Sequence, residues 1–253
     1  MRRAKLSSIV VAILVLGFAA TPACATVVHS ISGNSADGDP VSFKAELTIS
    51  GDCLTVKLYN TSSGTLHPAD LLCSYFFDIL NGSSARPPLS YASALGDVYL
   101  TDKNASDTLQ TANANLKAVN PNDDTWEFKT FDAGLSPFLG FGVGTVGNAN
   151  LTPNNFNGNV VGDMNYSIYA GDVTTQSLHN RLLVKSSATF TFSGLTGFTE
   201  ADIAGSSKFG LGTAPESLTM YPPEPPIPEP LTVLGLAAGL ASIGLYIRKR
   251  RTA

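Results

Sequence analysis

Cysteine, histidine, tryptophan and charged residues are all scarce in this sequence of 253 residues. It contains three cysteines, three histidines and one tryptophan, and only 14% of its residues are charged. No two histidines have the spacing of metal ligands on a helix or a hairpin, so a zinc site has little support. The Gly-x-Ser-x-Gly motif of the α/β-hydrolases is also missing. We therefore expect no catalytic activity.

Positive charge is scarce in the middle of the chain and concentrated at its ends. Seven of the 16 cations lie in residues 1–25 and 231–253, which contain no acids. Residues 26–230 keep the other nine cations and all 20 acids, a net charge of −11. A protein with this balance does not attract the nucleic-acid backbone, so we expect no nucleic-acid partner.

The amino terminus has the pattern of a secretory signal peptide over residues 1–25. Three cations (Arg2, Arg3 and Lys5) precede the apolar run Ile9–Ala20, and Ala23-Cys24-Ala25 offers small residues for cleavage before Thr26. The predicted partners are the Sec translocon and signal peptidase. A lipoprotein signal at Cys24 is the alternative, but Thr21 stands where that signal has leucine.

The carboxyl terminus contains a second apolar run, Leu231–Ile247, of 17 uncharged residues. As a helix it is about 25 Å long, at the short edge of what spans a bilayer. Four cations follow it at 248–253, namely Arg248, Lys249, Arg250 and Arg251. They predict a cytoplasmic tail, with everything before Leu231 on the far side of the membrane.

Directly before this run stands Pro228-Glu229-Pro230. Motif, apolar helix and basic tail together resemble the PEP-CTERM signal of bacterial exosortase substrates. The resemblance implies that an exosortase recognises these three residues, removes the helix and passes the protein from the inner membrane to the cell surface or the exopolysaccharide-containing matrix. An ordinary membrane anchor behind a Pro-rich stalk at 215–230 is the alternative, since 7 of the 15 prolines lie there.

The segment 26–214 is predicted to be one exported β-domain. Apolar residues alternate with polar ones from Phe43 to Ile49, and the alternation resumes at Leu54 after Gly51-Asp52, which predicts a β-hairpin. Further strands are predicted at Leu72–Ile79, Asp97–Leu100, Thr125–Phe131, Asn165–Tyr169 and Leu182–Phe192, and a short helical turn at Thr199–Asp202. Short strands between turn residues favour an antiparallel β-sandwich, jelly-roll-like.

Several blocks of this domain resemble a family of PEP-CTERM surface proteins, sometimes called the XDD type. The blocks are Asn60–Ser62, His67–Leu71, Phe76–Ile79, Trp126–Lys129, Asn165–Ile168, Leu183–Ser187 and Phe209–Thr213. The chain departs from the family at Asn157–Val160, where members often have a Gly-rich segment. The resemblance implies localisation at the cell surface and a structural or adhesive role. It implies no catalytic activity.

Two cysteines remain after signal cleavage, Cys53 and Cys73. Export to an oxidising compartment permits a disulfide between them, which would stabilise the domain by about 3 kcal/mol. Two buried thiols on neighbouring strands are the alternative, because the sequence does not supply the distance between their Cα atoms.

Four weaker candidates for binding or chemistry remain. Oxygen-rich loops can hold Ca²⁺, here at Asn120, Asn122, Asp123 and Asp124 or at Asp37 and Asp39, although solvated turns explain both loops. Trp126, Tyr166 and Tyr169 are candidates for a sugar-stacking platform, with Trp126 expected to point into the core.

Asp70 and Asp78 are the first carboxylate pair to inspect for a hydrolase. The segment Gly142–Gly147 has the glycine spacing of a dinucleotide fingerprint, but the helix that should follow it is not predicted.

Overall fold

The computed structural model describes residues 25–81, 85–117, 125–131, 140–145, 164–212 and 219–221. All of them lie in one unit that runs from Cys24 to Pro228. The predicted signal peptide, the sorting motif Pro228-Glu229-Pro230, the apolar run, the basic tail and the loop Asn120–Asp124 lie outside the described residues. Among those that are described, no helix is long and apolar enough to cross a membrane.

The described part of the chain is all-β, as the sequence predicted. Its strands are β1 (Thr26–Asn34), β2 (Pro40–Ser50), β3 (Cys53–Asn60), β4 (Leu72–Phe77), β5 (Ser90–Leu100), β6 (Thr108–Asn115), β7 (Glu127–Thr130), β8 (Phe141–Gly144), β9 (Ile168–Tyr169), β10 (Leu182–Ser193), β11 (Ser207–Leu211) and β12 (Thr219–Tyr221). Three short 3₁₀ turns accompany them at Pro68–Asp70, Gln176–Leu178 and Glu200–Asp202.

The predicted hairpin is strands β2 and β3. Gly51 adopts a φ of +61°, which a glycine tolerates without strain, and Ser50 pairs with Cys53 across the turn. Phe43 and Leu47 are among the β2 residues on the apolar face, and both are fully buried. The alternation in the sequence therefore correctly predicted which face of the hairpin is buried.

The twelve strands form one sheet, in which the main path runs β1-β2-β3-β10-β9-β4-β11-β12. Strand β5 pairs with β10 and β6, and β8 pairs with β4 and β7. All strand pairs are antiparallel except β9 and β10, which are parallel, so the sheet is mixed. The predicted strand at Asn165–Tyr169 is shorter than expected because Tyr166, with a φ of +63°, lies in a turn before β9.

Strands that are distant along this path contact each other through their side chains. Phe43 on β2 and Phe209 on β11 have ring centroids 6.3 Å apart, although four strands lie between β2 and β11 along the path. In a flat sheet these strands would be about 24 Å apart. The sheet therefore folds back over itself and encloses the core between its two parts.

The segment predicted as a Pro-rich stalk is partly strand. Thr219–Tyr221 is β12, which pairs antiparallel with β11. The sheet therefore continues beyond residue 214, where the β-domain was predicted to end. The rest of the predicted stalk lies outside the described residues, including both copies of Pro-Glu-Pro.

Candidate metal centre

The two cysteines do not form the candidate disulfide. Both are free thiols, and their strands β3 and β4 are separated in the sheet by β10 and β9. Cys73 is buried against a small apolar cluster, with its Sγ atom 3.1 Å from Oγ of Ser167. Burial raises the pKa of the Cys73 thiol to about 12, which keeps it protonated and unreactive at neutral pH.

The aromatic residues of the candidate sugar platform do not form an exposed surface. Trp126 is fully buried, packs edge-on against Phe190 at 4.8 Å, and donates a hydrogen bond from Nε1 to the carbonyl of Tyr166. Tyr169 is also fully buried, and its hydroxyl donates to Asp107. Tyr166 is half-buried against the core. The inward orientation predicted for Trp126 is confirmed, and a stacking platform of these three rings is ruled out.

The two carboxylates considered for a hydrolase also have separate structural roles. Asp78 accepts two hydrogen bonds from Arg86, each 2.7 Å long, beyond the end of β4. Asp70 precedes the other end of β4, where its Oδ2 atom accepts from the backbone N–H groups of Leu66 and His67. The length of β4 separates the pair, so they do not converge on a substrate.

The first two glycines of the dinucleotide fingerprint belong to a strand rather than a phosphate-binding loop, and Gly147 lies outside the described residues. Gly142 and Gly144 are in β8, and Gly142 pairs with Phe76 of β4. A Cβ atom on Gly142 would lie 2.6 Å from the Phe76 ring, so glycine is present here for close packing.

One cluster of potential ligands does form, from residues that are distant in the sequence. Asp39, His67 and Asp70 each offer one ligand atom, and these three atoms lie within 4.8 Å of one another. Asp39 comes from the connection between β1 and β2, and the other two come from the loop between β3 and β4. We refer to Asp39, His67 and Asp70 as the acidic-histidine cluster.

A tight turn positions Asp39. The backbone N–H of Ser35 donates to the carbonyl of Asp39, and that of Gly38 donates to the carbonyl of Ser35. Gly38 has a φ of +89°, a conformation that favours glycine. The turn thus holds Asp39 half-buried at the start of β2.

The 3₁₀ turn Pro68–Asp70 positions the other two residues. His67 is its N-cap, and Pro68 occupies the first position, where the N–H that proline lacks is not needed. Oδ2 of Asp70 lies 2.8 Å from the N–H of His67, which closes the turn. The backbone of Asp70 is held by Asn60, whose Nδ2 donates to its carbonyl.

The loop that contains His67 is bound to the start of β2. The N–H of Thr61 donates to the carbonyl of Ser42, and the N–H of Ser42 donates to Oγ of Ser62. These bonds lie a few residues from Asp39 and fix the two chain segments against each other. As a result, Nδ1 of His67 approaches Oδ2 of Asp39 to 2.6 Å.

The charges of the cluster favour a cation at its centre. The hydrogen bond from His67 to Asp39 raises the pKa of His67, and the negative charges of Asp37 and Asp70 act in the same direction. The His67 side chain is 49% exposed, whereas that of Asp39 is 22% exposed. The cluster is therefore an acidic site that solvent reaches at the histidine.

The buried carboxylate of Asp70 is only partly satisfied. Asp70 is 1% exposed, and its Oδ1 atom is buried without a hydrogen-bond partner. Such an oxygen is costly to bury, because water no longer solvates it and nothing replaces the water. A cation bound beside Asp70, His67 and Asp39 would compensate this buried carboxylate.

A catalytic role for the His67–Asp39 pair has less support. In a nucleophilic triad the second imidazole nitrogen takes the proton of a hydroxyl or thiol. Among the described residues, no hydrogen bond connects Nε2 of His67 to such a group. The cluster therefore has the donors of a ligand site and lacks the nucleophile of a triad.

Sequence reasoning found the members of this cluster separately and did not bring them together. Asp39 was a candidate calcium ligand, Asp70 a candidate hydrolase carboxylate, and His67 belonged only to a family block. The signal that was available is His67-Pro68-Ala69-Asp70, in which proline begins a tight turn that places a histidine and a carboxylate side by side. No local pattern predicts that Asp39 joins this pair, because only the tertiary structure brings it next to His67.

No protein-family model, no curated protein and no solved structure matches this chain.

Proposed function

We propose that this protein is an exported bacterial surface or extracellular-matrix protein, processed at both ends, whose β-domain has a structural or adhesive role. The observation that carries the proposal is the carboxyl-terminal sequence. Pro228-Glu229-Pro230 is followed directly by 17 uncharged residues and then by four cations. The order of the three parts resembles the PEP-CTERM signal, in which an exosortase recognises the motif and removes the apolar helix and the basic tail.

The limits of the folded unit support this processing scheme. The unit runs from Cys24 to Pro228, and the two ends of the chain fall outside it. Signal peptidase would cut before Thr26 and the exosortase near Pro228, so both cuts would fall at the edges of the unit. Cleavage would therefore leave the described strands intact.

We further infer that the folded sheet is a β-sandwich of the jelly-roll type, interrupted by the one parallel pair. Two contacts between distant strands support two facing layers. Phe43 of β2 approaches Phe209 of β11, and Nδ1 of His29 on β1 lies 2.6 Å from the hydroxyl of Tyr75 on β4. A β-domain with few charged residues suits a protein of the exopolysaccharide matrix.

The experiment that tests the sorting is mass spectrometry of both termini of the native protein, from cells with and without their exosortase. The chain offers a matched control, because Pro223-Glu224-Pro225 repeats the motif farther from the apolar run. We expect loss of everything after the Pro228 region only when the exosortase is present. Glu229→Ala should block this loss, and Glu224→Ala should not.

Three outcomes would count against the proposal. A chain that ends at Ala253 in both strains would make the protein a simple membrane-anchored ectodomain. Equal effects of Glu229→Ala and Glu224→Ala would show that the position of the motif next to the apolar run is irrelevant. Retention of Met1 would contradict the predicted signal peptide.

A further inference from the structure

We propose that the acidic-histidine cluster binds a divalent first-row transition-metal ion, with Zn²⁺ as the ion to test. The proposed function does not require this site. It would join the turn before β2 to the 3₁₀ turn before β4, and the ligands Asp39 and His67 in these turns are 28 positions apart in the chain.

The donor atoms select the class of metal. Ca²⁺ and Mg²⁺ take oxygen ligands almost exclusively, whereas an imidazole nitrogen suits zinc and its neighbours. Here one imidazole stands between two carboxylates, Asp39 and Asp70. The two carboxylates neutralise the charge of a divalent ion, and water can complete the coordination at the exposed side of His67.

The distances are compatible with small adjustments of the side chains. Ligand atoms around tetrahedral Zn²⁺ are roughly 3.3 Å apart, given metal–ligand bonds near 2.0–2.1 Å. In the structure the Asp39 and His67 atoms are 2.6 Å apart, and all three ligand atoms lie within 4.8 Å. Binding of the metal would move the ligand atoms of Asp39 and His67 slightly apart and bring the ligand atom of Asp70 closer to both.

The proton balance is simple. Nδ1 of His67 faces Oδ2 of Asp39, and the two share a proton in the hydrogen bond between them. Coordination by Nδ1 requires its lone pair, so the proton passes to solvent when the metal takes its place. No other bond forms or breaks, and no electron is transferred.

The buried oxygen of Asp70 is the independent observation that points to a ligand. Oδ2 already accepts two backbone hydrogen bonds, which hold the carboxylate in one orientation. Oδ1 is buried and has no partner. Bonds to backbone N–H groups are the outer-shell support that orients a coordinating carboxylate, and a bound cation would compensate the charge that is buried with the unpaired oxygen.

The chain offers a matched control for the histidine. Nδ1 of His179 lies 3.4 Å from Asp102, so it also forms a histidine–carboxylate pair at the surface. The single cluster of three potential ligands found among the described residues does not include it. His179→Gln should therefore leave metal binding unchanged, whereas His67→Gln should remove it.

The experiment uses the full-length chain, purified in detergent and freed of metal with a chelator. Zinc binding is measured by equilibrium dialysis, and the histidine side chains are observed by NMR with ¹⁵N-labelled histidine. Only three histidines are present, so each signal can be assigned by substitution. We expect one Zn²⁺ per chain and a change confined to the His67 signal. We also expect a higher unfolding temperature with Zn²⁺, because the metal binds only the folded state.

The variants sharpen the expected result. Asp39→Asn and His67→Gln should each weaken zinc binding at least tenfold, while both still fold, since neither side chain is buried. Asp70→Asn is left out of the main comparison because Asp70 also closes the 3₁₀ turn. A tenfold excess of Ca²⁺ should not displace the zinc.

Four results would overturn the proposal. The first is no bound Zn²⁺ at micromolar free zinc, and the second is equal binding by the parent chain and His67→Gln. The third is binding of Ca²⁺ in preference to Zn²⁺, which would show that the class of metal is wrong. The fourth is a change of the His29 or His179 signal instead of the His67 signal, which would place the zinc elsewhere.

Discussion

Asp78 and Arg86 form a bidentate ion pair next to Gly140. The Asp78 side chain is only 8% exposed, so its charge depends on Arg86 for compensation. A Cβ atom on Gly140 would overlap both Nε of Arg86 and Oδ1 of Asp78. The absence of a side chain at Gly140 therefore leaves room for the ion pair. A side chain at this position would separate Arg86 from the buried carboxylate of Asp78.

We expect Gly140→Ala to lower the free energy of unfolding by about 3 kcal/mol, because a buried carboxylate without its partner is strongly destabilising. Chemical denaturation of parent and variant measures the difference. Gly64→Ala is the control, since a Cβ atom there meets nothing within 4 Å, and we expect a change below about 0.5 kcal/mol. Equal losses in the two variants would show that steric conflict at Gly140 is not the cause.

At the scale of the element, strand β10 contains a β-bulge in which one residue has a left-handed backbone conformation. The pairing of β10 with β5 shifts between Val184 and Ala188, and Ser186 in that interval has a φ of +67°. Over this interval β10 advances by four residues while β5 advances by two, from Val98 to Gly96, so the bulge holds two extra residues of β10. The left-handed conformation of a non-glycine residue costs about 1 kcal/mol or more.

Ser186→Gly should therefore raise the free energy of unfolding by about 1 kcal/mol, because glycine adopts this conformation without strain. Ser187→Gly is the matched change, since Ser187 pairs regularly with Tyr59, and there we expect a loss of about 0.5–1 kcal/mol. The two unfolding curves are compared under the same conditions. Shifts of the same sign would refute the strain at Ser186.

At the scale of the whole molecule, the amino-terminal strand is an integral part of the fold. His29 is fully buried in β1, with Nδ1 bonded to the hydroxyl of Tyr75 on β4. Its Nε2 atom is buried without a partner. Burial lowers the pKa of His29 from 6.5 to about 4, because the charged imidazolium is poorly solvated there.

This lowered pKa predicts a loss of stability in acid. Between pH 6.5 and about 4 the unfolded chain binds a proton at His29 that the folded chain does not bind. Stability is therefore fully present above pH 6.5 and falls through this window, by about 3 kcal/mol in total. Urea unfolding at pH 7, 5.5 and 4 measures the fall.

The variant His29→Gln isolates this contribution, because glutamine does not titrate and can still face Tyr75. We expect its stability to fall less between pH 7 and pH 4 than that of the parent. Carboxylates titrate in both proteins and cancel in the comparison. The same pH dependence in parent and variant would show that His29 is already protonated in the folded state.

Much of the local structure was predictable from alternation and turn residues. The hairpin around Gly51, the strand that begins at Leu182, the turn at Thr199–Asp202 and the burial of Trp126 all followed from patterns within a few residues. Strand β6 was missed, because it is almost wholly exposed and shows no apolar alternation.

The features decided by tertiary structure all involve residues far apart in the chain. They are the separation of Cys53 from Cys73, the parallel pair of β9 and β10, and the approach of Asp39 to His67. Local patterns specify which face of a strand is apolar, and so they specified the all-β structure of the described residues. They do not specify how one sheet folds over itself, and that folding places each loop beside its partners.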